Sequence, residues 1–296
     1  MSGEAERGEA SVRTGSGATR ERRALADGGS GGDSDDGVDR PLVAVFRPDD
    51  ERLTRAVETL DALGVDALAD PMLEIRPTGA VPEGADWIVF TSKTGVELAD
   101  EAGWSPADAL PDGRGGAAAE ERDGPAIACV GPSTAEAVRE AGWPVDLIPN
   151  EYSSTGLVAA FDALGVDGVR VEVARSDHGS QVLLDGLRDA GATVHETVLY
   201  ELVRPEGSGD SAGAAARGDL AGACFTSSLT VEHFLDAADE RGVRDEALAG
   251  LNDGVIGCIG HPTRETAESH GVAVDVVPAE ATFETLAESV VAELDV

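Results

Sequence analysis

Short apolar runs alternate along this chain with stretches whose apolar residues recur every three or four positions, the signature of strands alternating with amphipathic helices. Leu42 to Phe46 reads as a first strand. Asp49-Asp50 then precede a helix with Leu53, Val57 and Leu60 on one face, and Gly64 stops it before a strand from Val65 to Leu68. Trp87 to Phe90 and Ile127 to Val130 are further strands, Thr134 to Glu140 is a helix, Val145 to Ile148 is a strand, and Ser153-Ser154 cap a helix carrying Leu157, Val158, Phe161 and Leu164. The remainder predicts strands over Val169–Ala174, Thr193–Val198, Ala223–Phe225, Val255–Ile259 and Val272–Val276, a helix over Gln181–Asp189 and a last helix from Phe283. This alternation implies an α/β fold of parallel sheets covered on both faces, with right-handed crossovers and ligands bound beyond the carboxyl ends of the strands.

The pattern also repeats. Val43-Ala-Val-Phe-Arg47 returns as Val171-Glu-Val-Ala-Arg175, Glu74-Ile-Arg-Pro77 as Leu202-Val-Arg-Pro205, Phe90-Thr-Ser92 as Phe225-Thr-Ser227, and Cys129-Val-Gly-Pro-Ser-Thr134 as Cys258-Ile-Gly-His-Pro-Thr263. The first copy carries a short insertion between Phe90 and Gly131. Two similar α/β units would place a ligand in the cleft between them.

A chain of 296 residues is long enough for two such domains, each with its own core. Aromatic content of 4% leaves Ala, Val and Leu to fill most of it. The net charge of −35 is extreme, and every cation except Lys93 is Arg. This composition resembles that of halophile proteins, whose self-repulsion is screened where the Debye length falls to about 3 Å at molar salt. Dilute buffer is expected to destabilise the fold. The acidity also excludes nucleic acid as a partner, since phosphate contacts need clustered Lys and Arg. Cys129, Cys224 and Cys258 lie in or beside apolar strand runs without metal-ligand spacing, and read as buried thiols in a reducing cytoplasm. No run is apolar for long enough to span a membrane, and the N-terminus lacks a signal-peptide pattern. Residues 1–40 hold almost no large apolar side chain and read as a disordered tail; Gly113 to Gly124 and Glu206 to Gly218, of similar Gly/Ala/acid character, read as surface loops.

Candidate chemistry gathers at the strand ends. Thr91/Ser92, Ser133/Thr134, Ser153/Ser154, Thr226/Ser227/Ser228, Thr263 and Thr282 each stand beside a helix start. Ser and Thr are ordinary N-cap residues. Gathered at one edge of two facing sheets, with free backbone N–H groups and helix dipoles, they also suit a polyanionic ligand. Gly131 and Gly260 open turns resembling a phosphate loop but match no nucleotide-binding pattern, and no Lys follows them. The His residues share no metal spacing, and Asp177-His178 has no accompanying nucleophile. Arg47 and Arg175, equivalent by the repeat, would meet either a ligand carboxylate or a surface acid. Tyr200 lies in Val198-Leu-Tyr-Glu-Leu-Val203, whose counterpart is Met72-Leu-Glu-Ile-Arg-Pro77; the two segments suit a two-stranded pairing, with the Tyr either in the cleft or packed as a spacer.

Taken in order, Phe90-Thr-Ser92, Val130-Gly-x-x-Thr134-Ala135, Glu151-Tyr-Ser-Ser154, Tyr200, Phe225-Thr-Ser-Ser228, Ile259-Gly-x-x-Thr263 and Pro278-x-x-x-Thr282-x-x-x-Leu286 resemble the uroporphyrinogen-III synthase family. The resemblance covers Leu42 to about Leu294, and its specificity lies in order and doubling rather than in any one motif. It implies two flavodoxin-like parallel-sheet domains, 41–71 plus 206–296 and 78–196, joined by a two-stranded β-ladder hinge of 72–77 and 197–205. It implies a lyase that takes hydroxymethylbilane, a linear tetrapyrrole with eight carboxylates, expels its terminal hydroxyl, inverts ring D through a spiro intermediate and closes the macrocycle without cofactor or metal. The product would feed heme, siroheme or cobalamin synthesis. The family's proposed proton donor falls on Tyr200, and phenols, with pKa about 10, stay protonated at neutral pH. The substrate-binding set would be Thr91, Ser92, Gly131, Ser133, Thr134, Ser153, Ser154, Arg175, Thr226, Ser227, Ser228, Gly260, Thr263 and Thr282, in a cytoplasmic monomer. Arg264, where the first copy has Ala135, departs from the repeat. A non-catalytic two-lobed sensor of anionic ligands is the alternative from another class.

Overall fold

The computed structural model describes residues 40–109 and 124–294. The expectations for the tail and for the 113–124 loop fall outside these residues, apart from Arg40 and Gly124. In chain order, β1 (Leu42–Phe46), α1 (Glu51–Ala62), β2 (Asp66–Ala69), β3 (Glu74–Pro77), β4 (Trp87–Phe90), α2 (Lys93–Glu101), β5 (Ala126–Cys129), α3 (Pro132–Glu140), α4 (Ser154–Leu164), β6 (Arg170–Ser176), α5 (Gln181–Asp189) and β7 (Thr193–Val203) are followed by a second series. That series is α6 (Asp210–Arg217), β8 (Gly222–Phe225), α7 (Ser228–Glu240), α8 (Arg244–Asp253), β9 (Val255–Cys258), α9 (His261–Ser269) and α10 (Phe283–Glu293).

The strands form two sheets. One has the order β2-β1-β8-β9 and is wholly parallel; the other has the order β3-β7-β6-β4-β5. Alternation of side chains along each strand feeds two cores per sheet. In β1, Ala44 and Phe46 join one cluster while Val43 and Val45 join the cluster on the opposite face. In β4, Ile88 and Phe90 face one way and Val89 the other. The few aromatics concentrate in these cores: Phe46 stacks on Phe225 with centroids 4.6 Å apart, and Trp104 meets Trp143 edge-on at 4.8 Å. Cys129, Cys224 and Cys258 are free and buried, and burial pushes each thiol up to about 12, so none is a ready nucleophile.

Three expectations are corrected. Residues 206–218 do not form a surface loop: Asp210–Arg217 is helix α6, with Ser211, Ala212, Ala214 and Ala215 buried. Its small side chains are a packing surface for a close neighbour rather than a sign of solvation. Helix α8 has weak amphipathic patterning and was not foreseen at all. The expected strands Val145–Ile148 and Val272–Val276 each make only one bridge, Ala128↔Leu147 and Gly257↔Val276. At both places an Asp side chain takes over part of the ladder, accepting from the edge strand at 2.9 Å: Ile127 N–H to Asp146 Oδ2 and Ile256 N–H to Asp275 Oδ2.

The second sheet carries one antiparallel pair. Glu74 to Pro77 of β3 pair with Val203 to Tyr200 of β7. The ladder is not a separate element, however. β7 runs unbroken from Thr193 to Val203, pairing parallel with β6 in its first part and antiparallel with β3 in its last.

Beneath β7 a buried carboxylate sets a pH dependence. Glu172 of β6 is 1% exposed; His195 Nδ1 lies 2.6 Å from its Oε2, and Thr197 Oγ1 donates to its Oε1. The Glu172 hydrogen bond raises the His195 pKa above its ordinary value, burial opposes this, and the charges of Glu172, Glu83 and Glu196 reinforce it. A raised folded-state pKa gives stability that is complete below the unfolded value of about 6.5 and is lost as pH rises through the folded value. At constant salt, the melting temperature is therefore expected to fall between pH 6 and 8.5, and less so in His195→Gln. Equal slopes in the two proteins would remove His195 from the account.

Candidate functional site

Strand order identifies the edge at which to look. From β4 the chain crosses through α2 to β5 on one side; from β6 it crosses through α5 to β7 on the other. The carboxyl ends of β4 and β6 thus flank a topological switch point, where open α/β sheets leave a crevice. The first sheet repeats the arrangement between β1 and β8.

At the β4/β6 switch point lies a cavity of about 220 Å³ lined by Thr91, Ser92, Val130, Ser154, Arg175, Ser176, Gly179, Ser180, Leu183 and Tyr200. Ser92 caps α2, its Oγ accepting from Gly95 N–H at 3.0 Å. Tyr200 Oη donates to the same Oγ at 3.0 Å, and Tyr200 is 7% exposed. Both acceptor positions of Ser92 Oγ are therefore occupied, and its own proton remains to be donated.

A β-bulge brings Tyr200 there. Arg175 pairs with Val198 and Ser176 with Tyr200, leaving Leu199 as an extra residue on β7. Leu199 and Tyr200 consequently turn to the same face and pack in the cluster that holds Phe90 and Ala174. With regular alternation, Tyr200 would share the face of Val198 and Arg175 instead.

Arg175 is 1% exposed rather than at the surface. Its Nε donates to Glu196 Oε1 at 2.6 Å and its Nη1 to the Ser180 carbonyl at 2.6 Å. Arg47, its repeat partner, is half-buried with its guanidinium 5.0 Å above the Phe283 ring. Burial leads the causes that lower the Arg47 pKa.

The other expected residues divide by what their hydroxyls already do. Ser153, Ser227 and Thr282 are N-caps of α4, α7 and α10, and Ser153 also donates to Glu151 Oε1 at 2.7 Å. Thr226 Oγ1 donates to the Phe46 carbonyl at 2.8 Å, across the β1/β8 switch point. Ser228 Oγ donates to the Pro262 carbonyl and accepts from Thr266 Oγ1 at 2.9 Å. Gly131 and Gly260 are the N-caps of α3 and α9 and bring no side chain. Thr134 and Thr263 point inward, 2% and 4% exposed, while Ser133 is exposed. The cavity thus brings Thr91, Ser92, Ser154, Arg175 and Tyr200 together and leaves the rest of the set elsewhere along the strand ends. Ser176, Gly179, Ser180 and Glu196 were missed by sequence reasoning; only the position of Ser180 before the Gln181 helix carried a signal.

Known proteins resemble this chain in sequence and in fold. The family model described as uroporphyrinogen-III synthase HemD matches residues 54–288. A Methanothermobacter thermautotrophicus protein provisionally named uroporphyrinogen-III synthase is 30% identical over 246 residues, covering 78% of this chain and 90% of its own length. The uroporphyrinogen-III synthase of Synechococcus elongatus is 30% identical over 192 residues, covering 59% of this chain and 66% of its own. Among solved structures, a mutant uroporphyrinogen III synthase from Thermus thermophilus superposes with a TM-score of 0.58 at 18% identity, over 83% of this chain and 96% of that one. The Helicobacter pylori enzyme gives 0.51 at 13% identity, over 86% and 99%. At these identities the structural matches speak for the fold.

Proposed function

The chain belongs to the uroporphyrinogen-III synthase family, and on that premise we propose that it cyclises hydroxymethylbilane to uroporphyrinogen III, inverting ring D and losing water. The observation that carries this reading to a particular residue is the bulge at Leu199, which turns the Tyr200 hydroxyl toward Ser92 at the switch point. In the proposed reaction the phenol gives its proton to the terminal hydroxyl, which leaves as water, and a proton lost on ring closure restores the phenol. The two sheets act as lobes, 41–71 plus 206–296 and 78–196, with β3 and β7 as the hinge about which they close on the flexible chain. Closure converts a floppy polymer into one reactive geometry, which is where most of the acceleration would come from. Uncharged donors at the strand ends meet the carboxylates.

Hydroxymethylbilane closes spontaneously to isomer I. Supplied with substrate in molar KCl, the purified protein is expected to give predominantly isomer III, separated from isomer I by chromatography after oxidation. An isomer ratio equal to that of the protein-free reaction would refute the assignment.

A further inference from the structure

We infer that Arg175 is the floor of a subsite for a single carboxylate arm of the ligand, bound through its Nη2. This rests on the proposed tetrapyrrole chemistry and adds to it one fixed anchor among the uncharged donors. The Arg175 side chain is 1% exposed, and two of its nitrogens are engaged, Nε with Glu196 and Nη1 with the Ser180 carbonyl. Nη2 is buried and has no acceptor among the described residues. An unmade hydrogen bond from a buried guanidinium is costly, so its persistence asks for a partner.

The cavity above it has the right chemistry. Ser92, Ser154, Ser176 and Ser180 line it with hydroxyls, and α2, α4 and α5 begin at it, each directing the positive end of its dipole inward. Its volume of about 220 Å³ has room for an acetate or propionate arm. The loop after β6 is shaped around the guanidinium: a Cβ on Gly179 would stand 2.5 Å from Arg175 Cδ, so a larger residue there would displace the guanidinium. Glu196 holds the fork in place, and its side chain, 29% exposed, offsets the Arg175 charge. The free Nη2 therefore acts as an oriented donor, suited to one oxygen of a carboxylate.

The test uses uroporphyrin III, an eight-carboxylate porphyrin, titrated by fluorescence into the full-length protein at fixed KCl. Arg175→Gln is expected to weaken binding about 10- to 100-fold, the worth of a hydrogen bond to a charged group, and to raise KM more than it lowers kcat. Glu196→Gln leaves Arg175 in place without its offsetting charge, and should tighten binding severalfold. A folded Arg175→Gln protein that binds as the wild type does would overturn the anchor. If that variant does not fold, Glu196→Gln decides: unchanged or weaker binding overturns the inference. Failure of the parent reading is distinct, since it would appear as wild-type protein that yields no isomer III.

Discussion

Tyr200→Phe is expected to lower the rate of isomer III formation about 100-fold, near the lower end of what a positioned general acid supplies, while the protein melts within a few degrees of the wild type. The asymmetry follows from the contacts. The ring is buried in the cluster that holds Leu199, Phe90 and Ala174, and Phe preserves that burial. Among the described residues the hydroxyl bonds Ser92 Oγ, which keeps its bond from Gly95 N–H when the phenol is removed. No buried group is orphaned, so the stability loss should stay near the net worth of one hydrogen bond, about 1 kcal/mol. Ser92→Ala makes the complementary case: it removes the α2 cap, worth about 1 kcal/mol, and leaves the phenol without its acceptor. If the phenol is the donor and Ser92 orients it, Ser92→Ala loses rate as well, by less than Tyr200→Phe, and the double variant loses little more than Tyr200→Phe alone. Full activity in Tyr200→Phe would reduce the tyrosine to a spacer.

The sequence shows why the edge was legible and the pocket was not. β1, β4, β8 and β9 each announce themselves as apolar runs, and the hydroxyls after them mark helix starts. Period-two and period-3.6 patterning carry both signals without any tertiary context. The doubling of phrases marks matching strand ends in the two halves, whereas the switch points follow from the sheet order. What patterning cannot carry is a one-residue register change. Val198-Leu-Tyr reads as regular alternation, yet the bulge reverses the face of Tyr200. Arg175 itself, charged and next to a loop, gives no sign of burial, because its burial depends on Glu196 of the neighbouring strand and on a glycine in the covering loop. Helix α6 was missed for a related reason. Its Gly, Ala and Ser composition reads as a loop, and its N-terminal cap comes from Asp70, far away in sequence.

That distant cap makes Asp70→Ala the substitution expected to destabilise the fold most, by about 4 kcal/mol in chemical denaturation. The figure follows from hydrogen bonds to charged groups being worth about 1.5–3 kcal/mol each and not fully additive. Asp70 continues the end of β2, its N–H donating to the Val45 carbonyl, and it is 3% exposed. Its carboxylate accepts from Gly209 N–H at 2.8 Å, Ser211 N–H at 2.9 Å and Ser211 Oγ at 2.5 Å. Gly209, the N-cap of α6, has φ 107, a conformation that favours glycine, and it has no side chain with which to cap the helix itself. Asp70 therefore supplies both the hydrogen-bond acceptor and the negative charge that the helix start requires. Without it three buried donors lose their partner at once. Asp50 provides the internal comparison, since it too caps a helix, accepting from Arg52 N–H at 2.8 Å, but it does so at the surface where water replaces it. Asp50→Ala should cost only about 1 kcal/mol. Similar losses in the two variants would mean that the buried network around Ser211 is reorganised by water or neighbouring donors, and that α6 does not depend on the strand end it leans on.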